Sequence, residues 1–500
     1  MELNICWSLF LQQEERKMKI SPRNLFLIIL FSGIFYMSLR SIIDPDFWWH
    51  LRTGQLMVQS RAILRVDPFS WSASGKAWIT HEWLSELIIY QIFKVGSYQL
   101  LTLSFSLLIT ASLLFSYLRC PPESKPYVAG FSLLLGALAS GPLWGVRPQM
   151  ITLLFTSIFL YLLDCYRRNG QLKTLIPIPL IMLFWVNLHA GYILGIAVII
   201  TYVIGWIIEL VVLKFWKKES IDKITKKKFL VLVGVLGASL LVMPMNPAGL
   251  QIFTYPFQTL FDPAMQKYIQ EWLSPDFHQL IWQPLALLIL TLIGAGMIGG
   301  HRISITKIIL TLGFGFAALR SVRHVPLFAV VVIPVLAEQF SSLIKINPSA
   351  QAPSRLLRWI NTLLISAIAL VMTLTLIQLP GNQEEAEAIN FPKEAVEWIL
   401  ENEPQGKLFN SYNWGGYLIW KLYPEYPVYI DGRADLYGGN FLIHYTDIAS
   451  AKLGWEEKLN GENVQIVLVE ADSKLSDALQ QSSAWKISFE DKVSVIFIKE

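Results

Sequence analysis

The fold of this chain is decided around residues 42–56, "IIDPDFWWHLRTGQL", which follow directly on an apolar run at 24–43. The stretch places two aspartates, two tryptophans, a histidine and an arginine within one helical length. An apolar run of about 20 residues is long enough to cross the ~30 Å hydrocarbon core of a bilayer. The charged stretch is therefore predicted to lie in the first loop after a membrane span.

The composition extends this prediction to the whole chain. Of the 500 residues, 54% are hydrophobic and only 16% are charged, which is outside the range of soluble globular proteins. The formal net charge is +4, and the basic residues gather in short clusters between apolar runs. We therefore expect the lipid bilayer as a partner and exclude nucleic acid.

About eleven segments are long enough to span a bilayer, so the sequence predicts an α-helical polytopic membrane protein with about eleven transmembrane helices. Basic loops at 166–173, 214–228 and 299–307 are typical of the cytoplasmic side, and Arg23 places the N-terminus there too. The predicted spans are 24–43, 97–118, 127–144, 148–165, 174–189, 191–213, 229–245, 281–299, 304–320, 324–341 and 356–379.

The chain divides by composition into two predicted domains. Residues 1–380 form the multi-span domain, with an outer loop at 44–96, and residues 381–500 form a soluble α/β domain outside the membrane. The tail is predicted to contain strands at 428–430, 464–470 and 492–500, and helices near 392–402, 415–423 and 474–481.

The first loop combines carboxylate and imidazole chemistry. Asp46 and His50 are one helical turn apart, so they share a face and can present jointly to one ligand. The structural alternative is that Asp44 caps a helix with Pro45 at its first position, while Asp46 complements the helix dipole.

A second acid–base pair follows in the same loop. His81 and Glu82 lie in "THEWLSE", although Thr80 could simply cap a helix there. For Asn187 and His189, in "WVNLHAGY", a hydrogen-bond network at a helix end is the favoured interpretation.

Three arginines, Arg147, Arg320 and Arg323, lie at predicted outer helix ends, against the positive-inside bias. An arginine at that depth needs an anion, a carboxylate or water. Ordinary pairing with outer carboxylates, or snorkelling to the membrane surface, is the alternative for Arg320 and Arg323.

Two motifs give the chain a resemblance to a known family. The acidic pair, aromatic pair and "HLR" of the first loop resemble the corresponding loop of GT-C membrane glycosyltransferases, particularly oligosaccharyltransferase catalytic subunits. "SYNWGGYLIWKLYPEYPVYIDGRADLYG" (411–438) looks like the region that holds their W-W-D-Y-G motif. The whole chain is also similar to a bacterial group of multi-span proteins sharing "DPDFWWHL", "HEWL" and "DGRADLYG".

The resemblance implies transfer of a sugar from a polyprenyl-phosphate donor to a lipid, glycan or protein acceptor. It also implies a bacterial inner membrane location, with the tail periplasmic. Such a reaction needs a base, for which Asp44 or Asp46 is suited, and a phosphate clamp, for which Arg147, Arg320, Arg323 and His324 are suited. The other predicted substrate-binding residues are His50, Arg52, His81, Glu82, Asn187, His189, Glu271, Trp414, Tyr417, Asp431 and Arg433.

Several of these tail residues have structural alternatives. Arg433 could pair with Asp431 or Asp435 as a lock, and Trp414 and Tyr417 could be core residues. We nevertheless expect "NWGGYLIW" and "DGRADLYG" to lie close to the first loop, because Gly415 and Gly416 allow close backbone approach.

The sequence also departs from the family pattern. Aligning Gly416 with the family's final glycine leaves no aspartate in the preceding Tyr412–Gly415, so peptide glycosylation is not implied. The second outer loop has "GVRPQ" where metal-dependent relatives have an acidic pair. A divalent metal would then need oxygens from Asp44, Asp46, Glu82 and Glu271.

Two other classes of function stay open on the sequence alone. A non-catalytic scaffold or lipid-binding protein would explain the topology, but it would not require an acidic and histidine-rich helix beside an arginine cluster. A secondary transporter is disfavoured because no inverted halves are evident and few charges lie within the middles of the spans.

Overall fold

The structure is a computed structural model that describes residues 21–216, 223–344 and 355–500. Residues 217–222, within the predicted basic loop at 214–228, lie outside the described residues. Each of the eleven predicted spans contains a helix. These helices are α1 (Pro22–Ser38), α3 (Trp83–Arg119), α4 (Tyr127–Ser140), α5 (Gln149–Asn169), α6 (Pro177–Leu188), α7 (Tyr192–Val211), α8 (Lys223–Val242), α11 (Gln283–Ile298), α12 (Ile305–Arg320), α13 (Val325–Leu343) and α14 (Arg355–Asn390).

Length and apolar composition make this an integral membrane protein. Within the described residues, seven helical stretches are long and apolar enough to cross a bilayer. The helices at Pro22–Ser38, Tyr127–Leu143 and Leu172–Leu188 are apolar but shorter. The count of eleven spans and the orientation of the chain therefore stay predictions. The seven stretches are Trp83–Arg119, Gln149–Asn169, Tyr192–Val211, Thr225–Met245, Leu280–Ile298, Val322–Leu343 and Trp359–Asn390.

Helix α13 is the centre of the bundle. The apolar window of Val322–Leu343 is 78% buried within the protein, whereas that of Trp359–Asn390 is 6% buried and is left for lipid. Gly136 of α4 lets the central helix approach closely, since a Cβ there would lie 2.6 Å from Cδ1 of Ile333. Close packing of small residues is the usual way in which membrane helices associate.

The first loop forms a helix of its own, α2 (Phe47–Ser60), which packs on the first half of α3. The contact is tight at Gly54, where a Cβ would lie 2.1 Å from the carbonyl oxygen of Glu86. Helix α3 is interrupted at Gly96 and Ser97, and Ser97 adopts φ 51°. The break separates the loop-packing half of α3 from the predicted span at 97–118.

The capping role considered for Asp44 is confirmed by its hydrogen bond, whereas the one considered for Thr80 is wrong. The Asp44 carboxylate accepts a hydrogen bond from the amide of Asp46, two residues on, at 2.9 Å, with Pro45 between them. The regular helix α2 begins at Phe47, and the Asp46 side chain makes no capping hydrogen bond. Thr80 donates to the carbonyl of Leu64 at 2.6 Å and does not cap α3, because that helix begins three residues later.

The tail contains a four-stranded mixed sheet in the order β1-β2-β4-β3. Strands β1 and β2 are parallel, and the other two pairs are antiparallel. The predicted strands at 464–470 and 492–500 are confirmed as β2 and β4, whereas β1 and β3 were not predicted. The strands are β1 (Lys407–Asn410), β2 (Val464–Glu470), β3 (Trp485–Glu490) and β4 (Ser494–Lys499).

The remaining helices complete the loops and the tail. The three predicted tail helices are confirmed as α15, α16 and α20, within two residues at each end. The set comprises α9 (Tyr255–Leu260), α10 (Pro263–Tyr268), α15 (Lys393–Asn402), α16 (Gly415–Leu422), α17 (Ala434–Tyr437), α18 (Gly439–Ala449), α19 (Trp455–Gly461) and α20 (Lys474–Gln480).

The strand predicted at 428–430 is wrong, because this segment pairs with the first loop instead of the sheet. Val428 forms an isolated parallel bridge with Ser70, in which its amide donates to Phe69 and its carbonyl accepts from Trp71, each at 3.1 Å. The Asn410 side chain binds the next two residues on the other side. The segment thus joins the tail to the loop.

The tail lies against the first loop, which confirms the expected proximity of the glycine motifs to it. A Cβ at Gly416 would lie 2.3 Å from the Pro45 carbonyl oxygen, and one at Gly432 would lie 1.7 Å from Oδ1 of Asp46. Helix α14 continues through Pro380 to Asn390. The division into domains at residue 380 stays a prediction.

We predict that Gly416→Ala destabilises the protein. The added methyl group meets backbone, which cannot rotate away, and overpacking of this kind costs about 1–3 kcal/mol. Thermal unfolding in detergent should show a lowered Tm. Gly461→Ala is the matched control, because nothing lies within 4 Å of a Cβ there. Equal melting temperatures for the two variants would contradict the close contact.

Candidate functional site

A cavity of about 960 Å³ lies where the first loop, the tail and the helix ends meet. One part of its wall is polar, and another is apolar and formed by residues such as Phe105, Ile109, Leu153, Ile193 and Leu327. Most of the predicted site residues line it. They are Asp44, Asp46, His50, His81, Glu82, Arg147, His189, Glu271, Arg323, His324 and Arg433.

Arg147 connects two carboxylates from distant parts of the chain. Its Nε lies 2.9 Å from Oδ2 of Asp44, and its Nη2 contacts Oε1 of Glu271. Burial lowers the pKa of Arg147, but the two carboxylates raise it by more, so the group stays cationic. The Arg147 charge is thus largely neutralised by protein carboxylates.

Asp46 lies beside this group in a different environment. Its Oδ1 accepts a hydrogen bond from the Trp49 indole at 3.1 Å. Burial and the nearby charges of Asp44 and Glu271 raise the pKa of Asp46 to about 7, against the opposing effect of Arg147. A carboxyl group with that pKa exchanges a proton readily near neutral pH.

Three histidines converge on the carboxylate of Glu82. Their Nε2 atoms lie 3.1 Å (His81), 3.5 Å (His189) and 3.6 Å (His50) from its oxygens. On the opposite side of the His50 ring, Nδ1 lies 3.5 Å from Oε1 of Glu86. The predicted acid–base pair at His81 and Glu82 is thus part of a larger cluster.

The protonation states in this cluster follow from burial and hydrogen bonding. Burial lowers the pKa of His50 to about 3 and that of His189 to about 4, so both are neutral at pH 7. Burial also lowers the pKa of His81, but Glu82 raises it by more. Burial raises the pKa of Glu82, but the charge and hydrogen bond of His81 lower it by more, so Glu82 stays ionised.

The cluster does not fit a metal centre. The Gly191 amide donates to Nδ1 of His189 at 3.0 Å, so the ring hydrogen is on Nε2 and faces Glu82. A ligating nitrogen needs its lone pair free. Among the described residues, no group of three or more His, Cys, Asp or Glu side chains is placed to hold a metal. The proposed ligands Asp44, Asp46, Glu82 and Glu271 do not form such a group.

The arginines predicted to bind phosphate separate into two kinds. Arg323 lies on the cavity wall with its guanidinium 4.5 Å from the centre of the Trp272 ring, and no carboxylate of the described residues is within ion-pair distance of it. Nδ1 of its neighbour His324 is buried and has no hydrogen-bond partner among the described residues. Arg320 is exposed, donates to Gln266 at 2.8 Å and lies off the cavity.

Arg433 has the alternative role considered for it, a structural ion pair that holds the tail in place. It is 1% exposed and donates to both oxygens of Asp431, at 2.8 and 2.6 Å. Nη1 also donates to Asp67 of the first loop at 2.7 Å, and the guanidinium lies 4.6 Å from the centre of the Trp78 ring. This ion group joins the tail to the loop.

Arg52, Trp414 and Tyr417 do not line the cavity. Arg52 donates to the Tyr423 carbonyl and lies over its ring, so it also joins loop to tail. Trp414 donates to the Asn390 carbonyl at 3.2 Å, and Tyr417 stacks on Phe391. Both aromatic side chains are buried.

Asn187 likewise lies off the cavity, in the hydrogen-bond network that was favoured for it. Its side chain accepts from Trp83 at 2.8 Å and donates to Leu183 at 2.9 Å. A substrate contact for it, as for Arg52, Arg320, Trp414, Tyr417 and Asp431, would need a surface other than this cavity.

Other cavity residues were missed. The Tyr255 hydroxyl donates to Asp435 at 2.6 Å, which joins the loop after α8 to "DGRADLYG", and Tyr412 lines the same wall. Arg40 also lines the cavity. It lies at the outer end of the first predicted span (24–43), so the criterion that selected the other outer arginines would have found it. Tyr255 has no comparable sequence signal.

Three solved structures of other proteins resemble this chain along most of its length. ArnT from Cupriavidus metallidurans bound to undecaprenyl phosphate matches 95% of this chain and 97% of its own, at 12% identity and a TM-score of 0.46. The Archaeoglobus fulgidus oligosaccharyltransferase, in complex with Zn and sulfate, matches 94% of this chain and 73% of its own, at 11% identity and a TM-score of 0.42. EmbB, an arabinosyltransferase from Mycobacterium smegmatis, matches 95% of this chain and 46% of its own, at 12% identity and a TM-score of 0.41.

All three are GT-C glycosyltransferases. No family model matches the chain, and no curated protein matches it by sequence.

We predict that Arg433→Met destabilises the protein strongly. It leaves Asp431 and Asp67 buried without their cation, and breaking a buried pair from one side costs about 3–5 kcal/mol. Lys452→Met is the control, since it breaks a solvent-exposed pair with Asp447, and such pairs add little to stability. Chemical unfolding followed by tryptophan fluorescence measures both. A decrease in the free energy of unfolding for Arg433→Met that is no larger than for the control would refute this structural role.

Proposed function

We propose that this chain is a membrane glycosyltransferase that moves a sugar from a polyprenyl-phosphate donor to an acceptor hydroxyl in this cavity. The observation that carries the proposal is the environment of Asp46. A half-buried carboxyl group with a pKa raised to about 7 lies in a large cavity that has an apolar wall and contains Arg323, which forms no ion pair among the described residues. A general base works best when its pKa is near the working pH.

Asp46 is better suited than Asp44 to act as the base. The Asp44 carboxylate is held by Arg147 at 2.9 Å and by the amide of Asp46, so its lone pairs are engaged. In Asp46, Oδ1 accepts from Trp49, while Oδ2 has no hydrogen bond from any described residue. We assign to Asp44 the positioning of Arg147 and the raising of the Asp46 pKa.

The leaving phosphate is assigned to Arg323 and His324. The Arg323 guanidinium forms no ion pair with a carboxylate of the described residues, and His324 offers a buried ring nitrogen without a partner in the same part of the chain. A planar guanidinium binds phosphate oxygens with two parallel hydrogen bonds. Preorganised donors of this kind stabilise the charge that develops on the departing group.

The proposed step balances without a further reactant. The acceptor hydroxyl gives its proton to Asp46 as its oxygen bonds to the anomeric carbon. The bond from that carbon to the phosphate oxygen breaks, and its electron pair leaves with the lipid phosphate. Attack from the side opposite the phosphate inverts the anomeric configuration. The apolar wall, which includes Ile109, Leu153 and Leu327, would hold the prenyl chain.

We predict that Asp46→Asn abolishes transfer without unfolding the protein. An amide of the same shape cannot accept the proton, and loss of a general base costs at least about 10²-fold in rate. The assay uses purified protein with a panel of labelled lipid-linked sugars and a crude acceptor extract. Asp276→Asn is the control, because Asp276 is exposed and lies off the cavity. Unchanged transfer by the Asp46 variant would reject this assignment.

The rate should also depend on pH in a defined direction. The base acts when deprotonated, so kcat/KM should rise through pH 7 and level off above it. The charge of Asp44 raises the Asp46 pKa, so Asp44→Asn should move the rising limb to lower pH. A pH–rate profile for both proteins measures this shift. If the rising limb of the profile were unchanged in Asp44→Asn, or moved to higher pH, a group other than Asp46 would control the rate.

A further inference from the structure

Two arginines on the cavity wall are available to bind anions. Within the described residues, Arg147 and Arg433 are engaged by carboxylates, whereas Arg40 and Arg323 form no ion pair. Arg323 is already assigned to the leaving phosphate. The role of Arg40 is unexplained by that assignment.

Arg40 lies just beyond the end of α1. Its Nε donates to the Met37 carbonyl at 2.9 Å, and its two Nη groups make no hydrogen bond with any described residue. Nη2 lies beside the end of α4, since a Cβ at Gly141 would be 3.7 Å from it. The side chain is exposed, so a ligand can reach its free N–H groups.

The surroundings of Arg40 combine one cationic group with apolar surface. Thr102, Phe105 and Leu143 line the same cavity, and the Thr102 hydroxyl donates to the Arg40 carbonyl at 3.5 Å. A guanidinium above an apolar wall at a membrane boundary matches a lipid with an anionic headgroup.

Arg40 lies apart from the charges around Asp46. Glu271, Arg147, Glu82 and Asp46 all act electrostatically on Arg323. No charged side chain of the described residues acts on Arg40 in this way. The leaving phosphate must lie next to the reacting atoms. An anion at Arg40 is therefore a second one.

We propose that Arg40 binds a phosphate group of the acceptor, which is an anionic lipid whose chain lies along the part of the cavity wall formed by Phe105 and Leu143. This inference rests on the transferase function proposed above. It places donor phosphate and acceptor phosphate on different arginines, so both lipids can be bound at once.

Native mass spectrometry of the full-length protein, released from neutral detergent, tests this proposal. The probes are dioctanoyl phosphatidate for the acceptor, farnesyl phosphate for the donor, and dioctanoylglycerol and inorganic phosphate as controls. The variants are Arg40→Gln, Arg323→Gln and Arg320→Gln. Arg320 is the matched control, because it also lies at a helix end but off the cavity. Thermal melting verifies that each variant is folded.

Arg40→Gln should weaken the binding of phosphatidate by about tenfold or more, because it removes a charged hydrogen bond. It should leave the binding of farnesyl phosphate unchanged. Arg323→Gln should do the reverse, and Arg320→Gln should change neither. Dioctanoylglycerol should not distinguish the variants, and inorganic phosphate should not compete.

Three outcomes would overturn the proposal. Equal effects of Arg40→Gln and Arg320→Gln would mean that Arg40 only meets bulk headgroups. If Arg40→Gln weakened the binding of farnesyl phosphate instead of phosphatidate, Arg40 would belong to the donor site. Effective competition by inorganic phosphate would remove the lipid requirement. Since binding requires no transfer, absence of transfer by the wild-type protein with every donor of the panel would reject the proposed function and leave this binding result standing.

Discussion

The site depends on the contact between Gly432 of the tail and the carboxylate of Asp46 in the first loop. No Cβ can be accommodated between them, because it would lie 1.7 Å from Oδ1. The tail backbone therefore covers a carboxylate that would otherwise face water. This cover shields part of the Asp46 side chain from water, and loss of solvation is the main cause of its raised pKa.

The contact is held by buried ions on the same tail segment. Arg433 binds Asp431 within the tail and Asp67 across the joint, and all three side chains are at most 2% exposed. A buried ion group contributes little net stability compared with an apolar core, but it is costly to break from one side. We infer that it serves to fix one arrangement of tail and loop. Val428 and Arg52 add backbone and cation–π contacts to the same joint.

The hydropathy of the sequence predicted the helices, because spans are long apolar runs that do not depend on partners. The short strand β1 was missed since four residues give too little pattern, and β3 because most of its side chains are partly or fully exposed. The segment 428–430 has the residues of a strand, but its partner is residues 69–71 of the loop, more than 350 positions earlier. Local composition carries no information about such a partner.

The same limit applies to the candidate site: neighbours in the sequence could be placed together, whereas pairs distant in the sequence could not. Asp44, Asp46 and His50 are close in sequence, so their shared location could be predicted. The partner of Arg147 could not be, because Glu271 is 124 residues away, and neither could the meeting of His189 with Glu82. Which carboxylate is engaged and which is free depends on these distant pairs. The sequence therefore left Asp44 and Asp46 as equal alternatives, whereas the geometry favours Asp46.

The most direct measurement is an experimental structure of the protein with an inert phosphonate analogue of a polyprenyl-phosphate sugar. Our account predicts the phosphonate against Arg323 and His324, the prenyl chain along the wall that includes Ile109 and Leu327, and the anomeric carbon facing Asp46. An analogue bound elsewhere, or bound in the cavity with Asp46 turned away from the sugar, would contradict it.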